Sequence, residues 1–216
     1  MTYNIILLGP PGTGKGTQAE RMAGHLNVPH ISTGDMFRQL ASENDSLGLE
    51  AKEKYWGKGL LVPDDTTIGL VRKRLSKPDC GNGFILDGFP RTRPQAEALE
   101  ELLAEMGREL DHVIEIQSSE EIIVKRLTSR RQCTKCKKIY GIDVPPKVKG
   151  FCDIDGAPLY HRDDDKEEVI LGRLEVYKSQ TEPLIQFYSE RGKLDSINGE
   201  QPIDKILNDI LGVVRG

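Results

Sequence analysis

The chain has 216 residues, enough for one large domain or a core domain with insertions. Hydrophobic residues make up 37% and charged residues 30%, a core-forming balance that excludes a disordered composition. The formal net charge of −4 argues against a sequence-independent nucleic-acid binder and suits local arginine clusters that hold a small anion.

Residues 4–8 (NIILL) are a short apolar run followed by Gly-Pro, the pattern of a buried strand ending in a loop. The residues before it carry no basic segment, and no later stretch reaches the roughly 20 apolar residues a spanning helix needs. A cytoplasmic protein with no membrane partner is expected. Residues 15–26 have helical spacing, with Ala19, Met22, Ala23 and Leu26 on one face. A second strand is expected at 28–32, then helix over 34–57 in two pieces broken near 46–48. Residues 64–76 open with capping carboxylates and continue as an amphipathic helix. A strand over 83–88 ends in Asp87-Gly88, and Pro94 marks the start of a helix over 94–107. A strand over 112–116 precedes a helix over 118–131 that a serine should cap. Composition then shifts: 133–163 is rich in Cys, Gly, Pro and Lys, without periodicity, and reads as an insertion held by something other than a hydrophobic core. Helical pattern resumes over 164–191, followed by a strand at 193–198 and a helix at 202–214. Strands alternating with helices at this pace predict an α/β fold with a mainly parallel sheet.

The segment GPPGTGKGT (9–17) lies between the first strand and the first helix, the context a phosphate-binding loop requires. Gly9, Gly12, Gly14 and Gly16 let backbone N–H groups approach phosphate oxygens, and Lys15 supplies a point charge. The helix that follows aims its positive end at the same place. One position departs from the general pattern: Gly16, not Ser or Thr, follows the lysine, and Thr17 comes one step later.

GPPGTGKGTQAERMAGHLNVPHISTGDMFR and GFILDGFPRTRPQAEAL together resemble the adenylate kinase family in its bacterial long-lid form, and the likeness runs from about residue 4 to 210. The Gly-Lys-Gly-Thr variant is the form that family uses. The resemblance implies a three-layer nucleoside monophosphate kinase fold around a five-stranded parallel sheet. It implies a core of 1–31, 63–128 and 166–216, an AMP-binding insertion at 32–62 and a lid at 129–165. The implied activity is reversible Mg²⁺-dependent phosphoryl transfer from ATP to AMP, giving two ADP. Lys15, Arg91, Arg130, Arg162 and Arg173 are the implied catalytic cations. Arginine suits this work because its planar donors grip phosphate in pairs and it stays charged. ATP is implied to lie on Gly12, Thr13, Gly14, Lys15, Gly16 and Thr17, with Arg126 stacking on adenine, Ile139 and Tyr140 from the lid, and a carbonyl near Gln201. AMP is implied to meet Thr33, Arg38, Leu60, Leu61, Val62, Gly88, Phe89, Pro90, Arg91 and Gln95, with Arg162 and Arg173 closing over both nucleotides. Asp87 is the implied outer ligand of Mg²⁺ through water. Asp164 and Asp165 resemble lid-hinge carboxylates, although a solvated acidic run capping the next helix reads the same way.

The spacing Cys133-x2-Cys136-x15-Cys152-x2-Asp155 matches two zinc knuckles, with a carboxylate where a fourth sulfur would stand. A structural zinc would fold an insertion that lacks a core. A Cys133–Cys136 disulfide, free thiols, or His161 as the fourth ligand remain alternatives. Two other functions are compatible with parts of the chain: a kinase for a different monophosphate, and a zinc-ribbon nucleic-acid binder using Lys135, Lys137, Lys138, Lys147 and Lys149. A monomer is expected, since no long apolar stripe is left over.

Overall fold

The computed structural model describes residues 2–216. Five parallel strands form the central sheet: β1 (Tyr3–Leu8), β2 (His30–Ser32), β3 (Gly83–Asp87), β4 (His112–Gln117) and β8 (Leu194–Asn198), in the order β2-β3-β1-β4-β8. Burial on both faces explains why β1 reads as a continuous apolar run. Ile6 and Leu8 pack in one cluster with Val71, Leu75, Leu99, Leu103 and Leu184. These come from α4 (Asp64–Leu75), α5 (Arg93–Glu105) and α8 (Pro183–Ser189). Ile5 and Leu7 pack in another with Met22, Leu26, Leu207 and Ile210, from α1 (Lys15–Leu26) and α9 (Ile203–Arg215). The result is the expected three-layer arrangement.

The strand at the centre is β1, paired with β3 on one side and β4 on the other. Register sets Leu7 against Asp87, and Asp87 in turn against Ser32. The loops after β1, β2 and β3 therefore open at one edge, where parallel sheets bind ligands.

Several local expectations change. The 34–57 region does split, into α2 (Thr33–Ser42) and α3 (Ser46–Lys54), but the break precedes Ser46. Asp45 makes it, its carboxylate accepting from the N–H groups of Leu47 and Gly48. Gly48 is not a breaker; a Cβ there would fall 2.1 Å from the Ala41 nitrogen, so the glycine lets α3 cross α2 closely. Ser119 occupies the cap position of α6 (Glu120–Ser129) without a side-chain cap, and its N–H donates to Glu200. Nor does Asp64 cap α4; its carboxylate accepts from Thr92 Oγ1 at 3.0 Å and Gln95 Nε2 at 2.7 Å. The 164–191 region is a 3-10 turn at Asp163–Asp165, α7 (Glu167–Val176), a π turn at Tyr177–Thr181 and α8.

The insertion carries its own antiparallel sheet: β5 (Arg131–Cys133), β6 (Ile139–Tyr140) and β7 (Leu159–Tyr160), in the order β6-β5-β7. Its buried cluster is small: Cys133, Tyr140 and Cys152, with Ala157 and Leu159 against them.

Candidate functional site

The phosphate loop is shaped by close approach. A Cβ on Gly9 would fall 2.4 Å from the Ile116 carbonyl oxygen, and one on Gly12 would fall 2.9 Å from Leu127 Cγ. Both glycines have positive φ, at 130° and 90°, where other residues are strained. Helix α1 starts at Lys15, directly after Gly14, so its first N–H groups point into the loop. Lys15 Nζ donates to the carbonyls of Gly9 and Pro10, both at 2.7 Å. Burial lowers its pKa from 10.5 to about 8; Asp87 opposes that shift, while Arg91, Arg173 and Arg130 add to it. The loop thus holds a cation that gains by meeting phosphate.

Asp87 ends β3 beside this loop, with His30 Nε2 3.5 Å from its Oδ2. Burial pushes its carboxyl up, but His30 and Lys15 outweigh that and hold it below the usual range. Gly16 leaves the space next to Oδ2 free of side chain. An ionised carboxylate beside open space, near Thr17, fits a hydrated Mg²⁺, which keeps much of its water shell.

A cavity of about 1700 Å³ joins the loop to the arginines of distant segments. Lys15, Arg38, Arg91, Arg126, Arg130, Arg162 and Arg173 all line it. Two buried aspartates organise three of them. Arg130 donates to both oxygens of Asp165, at 2.7 and 2.5 Å, and Arg162 to both oxygens of Asp164, at 2.9 and 2.6 Å. Arg173 reaches the Asp164 carbonyl at 2.9 Å and its carboxylate at 3.1 Å. Asp164 and Asp165 are 5% and 0% exposed, so they are partners of the arginine cluster and not a solvated run. Burial raises the Asp164 carboxyl, but Arg173 and Arg162 more than reverse it and hold the carboxyl far below the usual range. Burial also lowers Arg91, and lowers Arg173 to about 9, which leaves Arg173 charged at neutral pH. Arg38 pairs with Asp35 at 2.6 Å, and Arg126 with Asp143 at 2.8 Å.

A smaller pocket of about 70 Å³ opens beside the large one. Thr33, Leu60, Leu61, Val62, Gly88 and Gln95 line it, and Arg38, Arg91 and Arg173 line both cavities. Gln95 is 2% exposed. Its Oε1 accepts the Arg91 N–H at 2.8 Å and its Nε2 donates to Asp64, leaving one N–H and one lone pair for a ligand. Arg91 Nε donates to the Gly88 carbonyl at 2.8 Å. Phe89, joined to Pro90 by a cis peptide, is buried in the core and lines neither cavity. Gln201 lines neither; its amide donates to the Asn198 carbonyl and to Asp209, and Gly199 faces the large cavity in its place.

In the insertion, ligand atoms of Cys133, Cys136, Cys152 and Asp155 lie within 4.8 Å of one another. Tetrahedral zinc with 2.3 Å bonds to sulfur needs sulfurs about 3.8 Å apart. Cys136 and Cys152 sulfurs are 3.5 Å apart, and Asp155 oxygens lie 3.4 and 3.5 Å from Cys133 Sγ. Backbone N–H groups of Lys135 and Cys136 point at Cys133 Sγ, and that of Ile154 points at Cys152 Sγ. The Ala157 N–H holds the Asp155 carboxyl well below its usual range. All four cysteines are free thiols and His161 is exposed, so the residues fit structural zinc with Asp155 as fourth ligand. Ile139 and Tyr140 line the large cavity, but Tyr140 is 1% exposed and its hydroxyl lies 3.4 Å from Cys152 Sγ. It braces the knuckles as well.

The sequence pattern does not single out Asp35, His30 or Thr181, and it presents Asp64 only as a helix-capping carboxylate. Asp35 could have been found from its i,i+3 spacing to Arg38. The others meet their partners only through the fold.

A phosphate loop at the centre of a parallel sheet, with arginines from several segments gathered over two joined cavities, defines a phosphate-loop nucleotide kinase. The adenylate kinase family model matches residues 7–193, and the chain belongs to the adenylate kinase family. It is 52% identical over 214 residues to the adenylate kinase of Bacillus subtilis (strain 168), covering 99% of this chain and 98% of that protein. It is 53% identical over 214 residues to that of Geobacillus sp. (strain WCH70), covering 99% of each. The adenylate kinase of Thermosipho africanus (strain TCF52B) is 50% identical over 213 residues, with 98% of this chain and 99% of that protein covered.

Proposed function

We propose that this chain works as its family does, transferring the terminal phosphoryl group of ATP to AMP reversibly and giving two ADP. The observation that carries the reading is the placing of Arg38, Arg91 and Arg173 where the two cavities join. Two phosphorylated ligands meeting end to end need fixed positive charge at that junction.

In this reading ATP occupies the large cavity, on the 12–17 loop with Lys15, Arg126 and the lid edge at Ile139. AMP occupies the small pocket, on Thr33, Arg38, Leu60, Leu61, Val62 and Gly88. Arg91 grips the AMP phosphate, and Arg130, Arg162 and Arg173 act on the transferring group. An oxygen of the AMP phosphate attacks the terminal phosphorus, the bond to ADP breaks, and no side chain becomes covalently bound. Catalysis is positioning plus electrostatics. Asp87 and Thr17 would hold the hydrated Mg²⁺ that comes with ATP; its chemistry there is charge neutralisation on the phosphates. The zinc set lies outside this chemistry and holds the insertion's shape.

The domain division belongs to the same proposal. Residues 32–62 and 129–165 close over a core of 1–31, 63–128 and 166–216, which excludes water from the transfer. So does a cytoplasmic monomer. Free thiols suit a reducing compartment, and among the described residues no helix is long and apolar enough to cross a membrane.

The test is an ATP-plus-monophosphate assay with AMP, GMP, UMP and CMP, beside elemental analysis of the purified protein. Two ADP per turnover with AMP, the highest kcat/KM with AMP, and one zinc per chain are expected. A higher kcat/KM with another monophosphate would reassign the substrate.

A further inference from the structure

Thr181 is the last residue of the π turn between α7 and α8 and is 6% exposed. A helical Ser or Thr usually bonds back to a carbonyl three or four residues earlier, as Ser179 does to Glu175 at 3.0 Å. Thr181 instead donates across the fold, to the Arg91 carbonyl at 2.8 Å. The Arg91 peptide is then tied on both sides. Its N–H goes to Gln95 and its carbonyl to Thr181, while its side chain is steered by the Gly88 carbonyl.

The π turn makes this contact possible. Arg173 and Thr181 are eight residues apart. On an unbroken α-helix that spacing leaves them about 80° apart around the axis. One extra residue in the turn reduces the offset to about 20°. Arg173 and Thr181 therefore share a face, and both line the large cavity. One segment thus presents a phosphate-facing guanidinium and, two turns on, the anchor of another.

We propose that Thr181 is a positioning residue for the AMP side of the reaction: it fixes the main chain of Arg91 and, through the π turn, ties Arg91 to the segment that carries Arg173. The proposal rests on the reading that Arg91 grips the AMP phosphate. Valine at position 181 keeps the shape but removes the donor and leaves a carbonyl unpaired; serine keeps the donor.

The experiment is steady-state kinetics with AMP and ATP varied separately, on Thr181→Val, Thr181→Ser and Arg91→Lys, with thermal melts of each. For Thr181→Val the KM for AMP should rise about tenfold, the order expected from losing one hydrogen bond and stranding its acceptor, while the KM for ATP stays within about twofold. Thr181→Ser should restore the KM for AMP. Arg91→Lys should also raise it, because lysine cannot reproduce the guanidinium fork. If valine unfolds the chain, Thr181→Ala carries the same test. Unchanged KM values in the folded valine or alanine variant overturn the proposal. So does an equal loss toward both nucleotides that serine fails to rescue, which marks a merely structural role. An unchanged KM for AMP in Arg91→Lys overturns the assignment of Arg91, and this proposal with it.

Discussion

Gly16 faces Asp87: a Cβ at position 16 would fall 3.3 Å from Asp87 Oδ2. The glycine is inside α1 and does not have positive φ, so its backbone would accept alanine. What it protects is the carboxylate's space. The general phosphate-loop pattern places Ser or Thr here; in this chain the aspartate from β3 fills that side of the site. Gly16→Ala should therefore separate stability from activity. The melting temperature should hold or rise, because alanine favours helix over glycine by about 1 kcal/mol. Turnover should fall about tenfold, since a shift of a few tenths of an ångström misplaces a reacting group. The Mg²⁺ concentration for half-maximal rate should rise in parallel. Wild-type Mg²⁺ dependence in the variant would show that Asp87 does not work through the metal.

Lys15 gives a pH prediction. Burial sets its pKa near 8 in the ligand-free protein, so it begins to lose its proton as pH rises through 8. Phosphate favours the ammonium form and raises the pKa on binding. ATP should then bind with uptake of a proton at pH 8 to 9, and its affinity should fall as pH rises through that window. Calorimetry in two buffers of different ionisation enthalpy measures the proton directly. Lys15→Arg should abolish the uptake, because arginine stays charged. Proton release, or no linkage at all, would contradict the assigned shift.

Asp164 gives the opposite limb. Its carboxyl is depressed in the fold, despite burial, by Arg173 and Arg162. The stabilisation it contributes is complete above the unfolded value of 3.8 and is lost as pH falls from there toward the folded value. Asp164→Asn should remove that part of the acid transition. At neutral pH it should also cost roughly 3 kcal/mol, the order seen when one partner of a buried pair is removed. Urea unfolding at pH 7 and at pH 3 checks both. Equal loss at the two pH values would assign the effect to packing and not to charge.

What could be read from the sequence was local. The phosphate loop was legible because strand, glycines, lysine and helix are contiguous, and the inner strands β1, β3 and β4 fell within a few residues because burial on both faces leaves a largely apolar run. Caps were less legible. Asp45, Ser119 and Asp64 all look like caps, but only Asp45 acts as one, and the choice depends on which donors tertiary packing brings near. The π turn has no periodic signature; one residue of slippage inside 164–191 is invisible to a 3.6-residue pattern. Its consequence, Thr181 on Arg91, spans 90 residues. Gln95 and Tyr140 illustrate the same limit. Each carries a suitable polar group, and only the fold reveals that Asp64 and Arg91 engage one and Cys152 the other.

The insertion offers the sharpest separation of structure from chemistry. Its buried cluster is Cys133, Tyr140 and Cys152, too little apolar surface to hold three two- to three-residue strands. A closed tetrahedral metal site at Cys133, Cys136, Cys152 and Asp155 would supply the missing cohesion. Cys133→Ser should lower zinc content below one per chain and lower the melting temperature, while low-temperature phosphoryl transfer persists, because the phosphate loop and Asp87 lie in a separate part of the chain. Asp155→Cys should retain zinc, since thiolate replaces carboxylate at the same knuckle position. Arg130 and Arg162 lie near the two ends of the 129–165 insertion and take their hold from Asp165 and Asp164. Their pairing should survive zinc loss, and residual activity reports it. Elemental analysis and melting curves with and without a chelator decide the matter. Full zinc content in Cys133→Ser would exclude this residue as a ligand, and chelator-independent melting of the wild type would exclude a structural role for the metal.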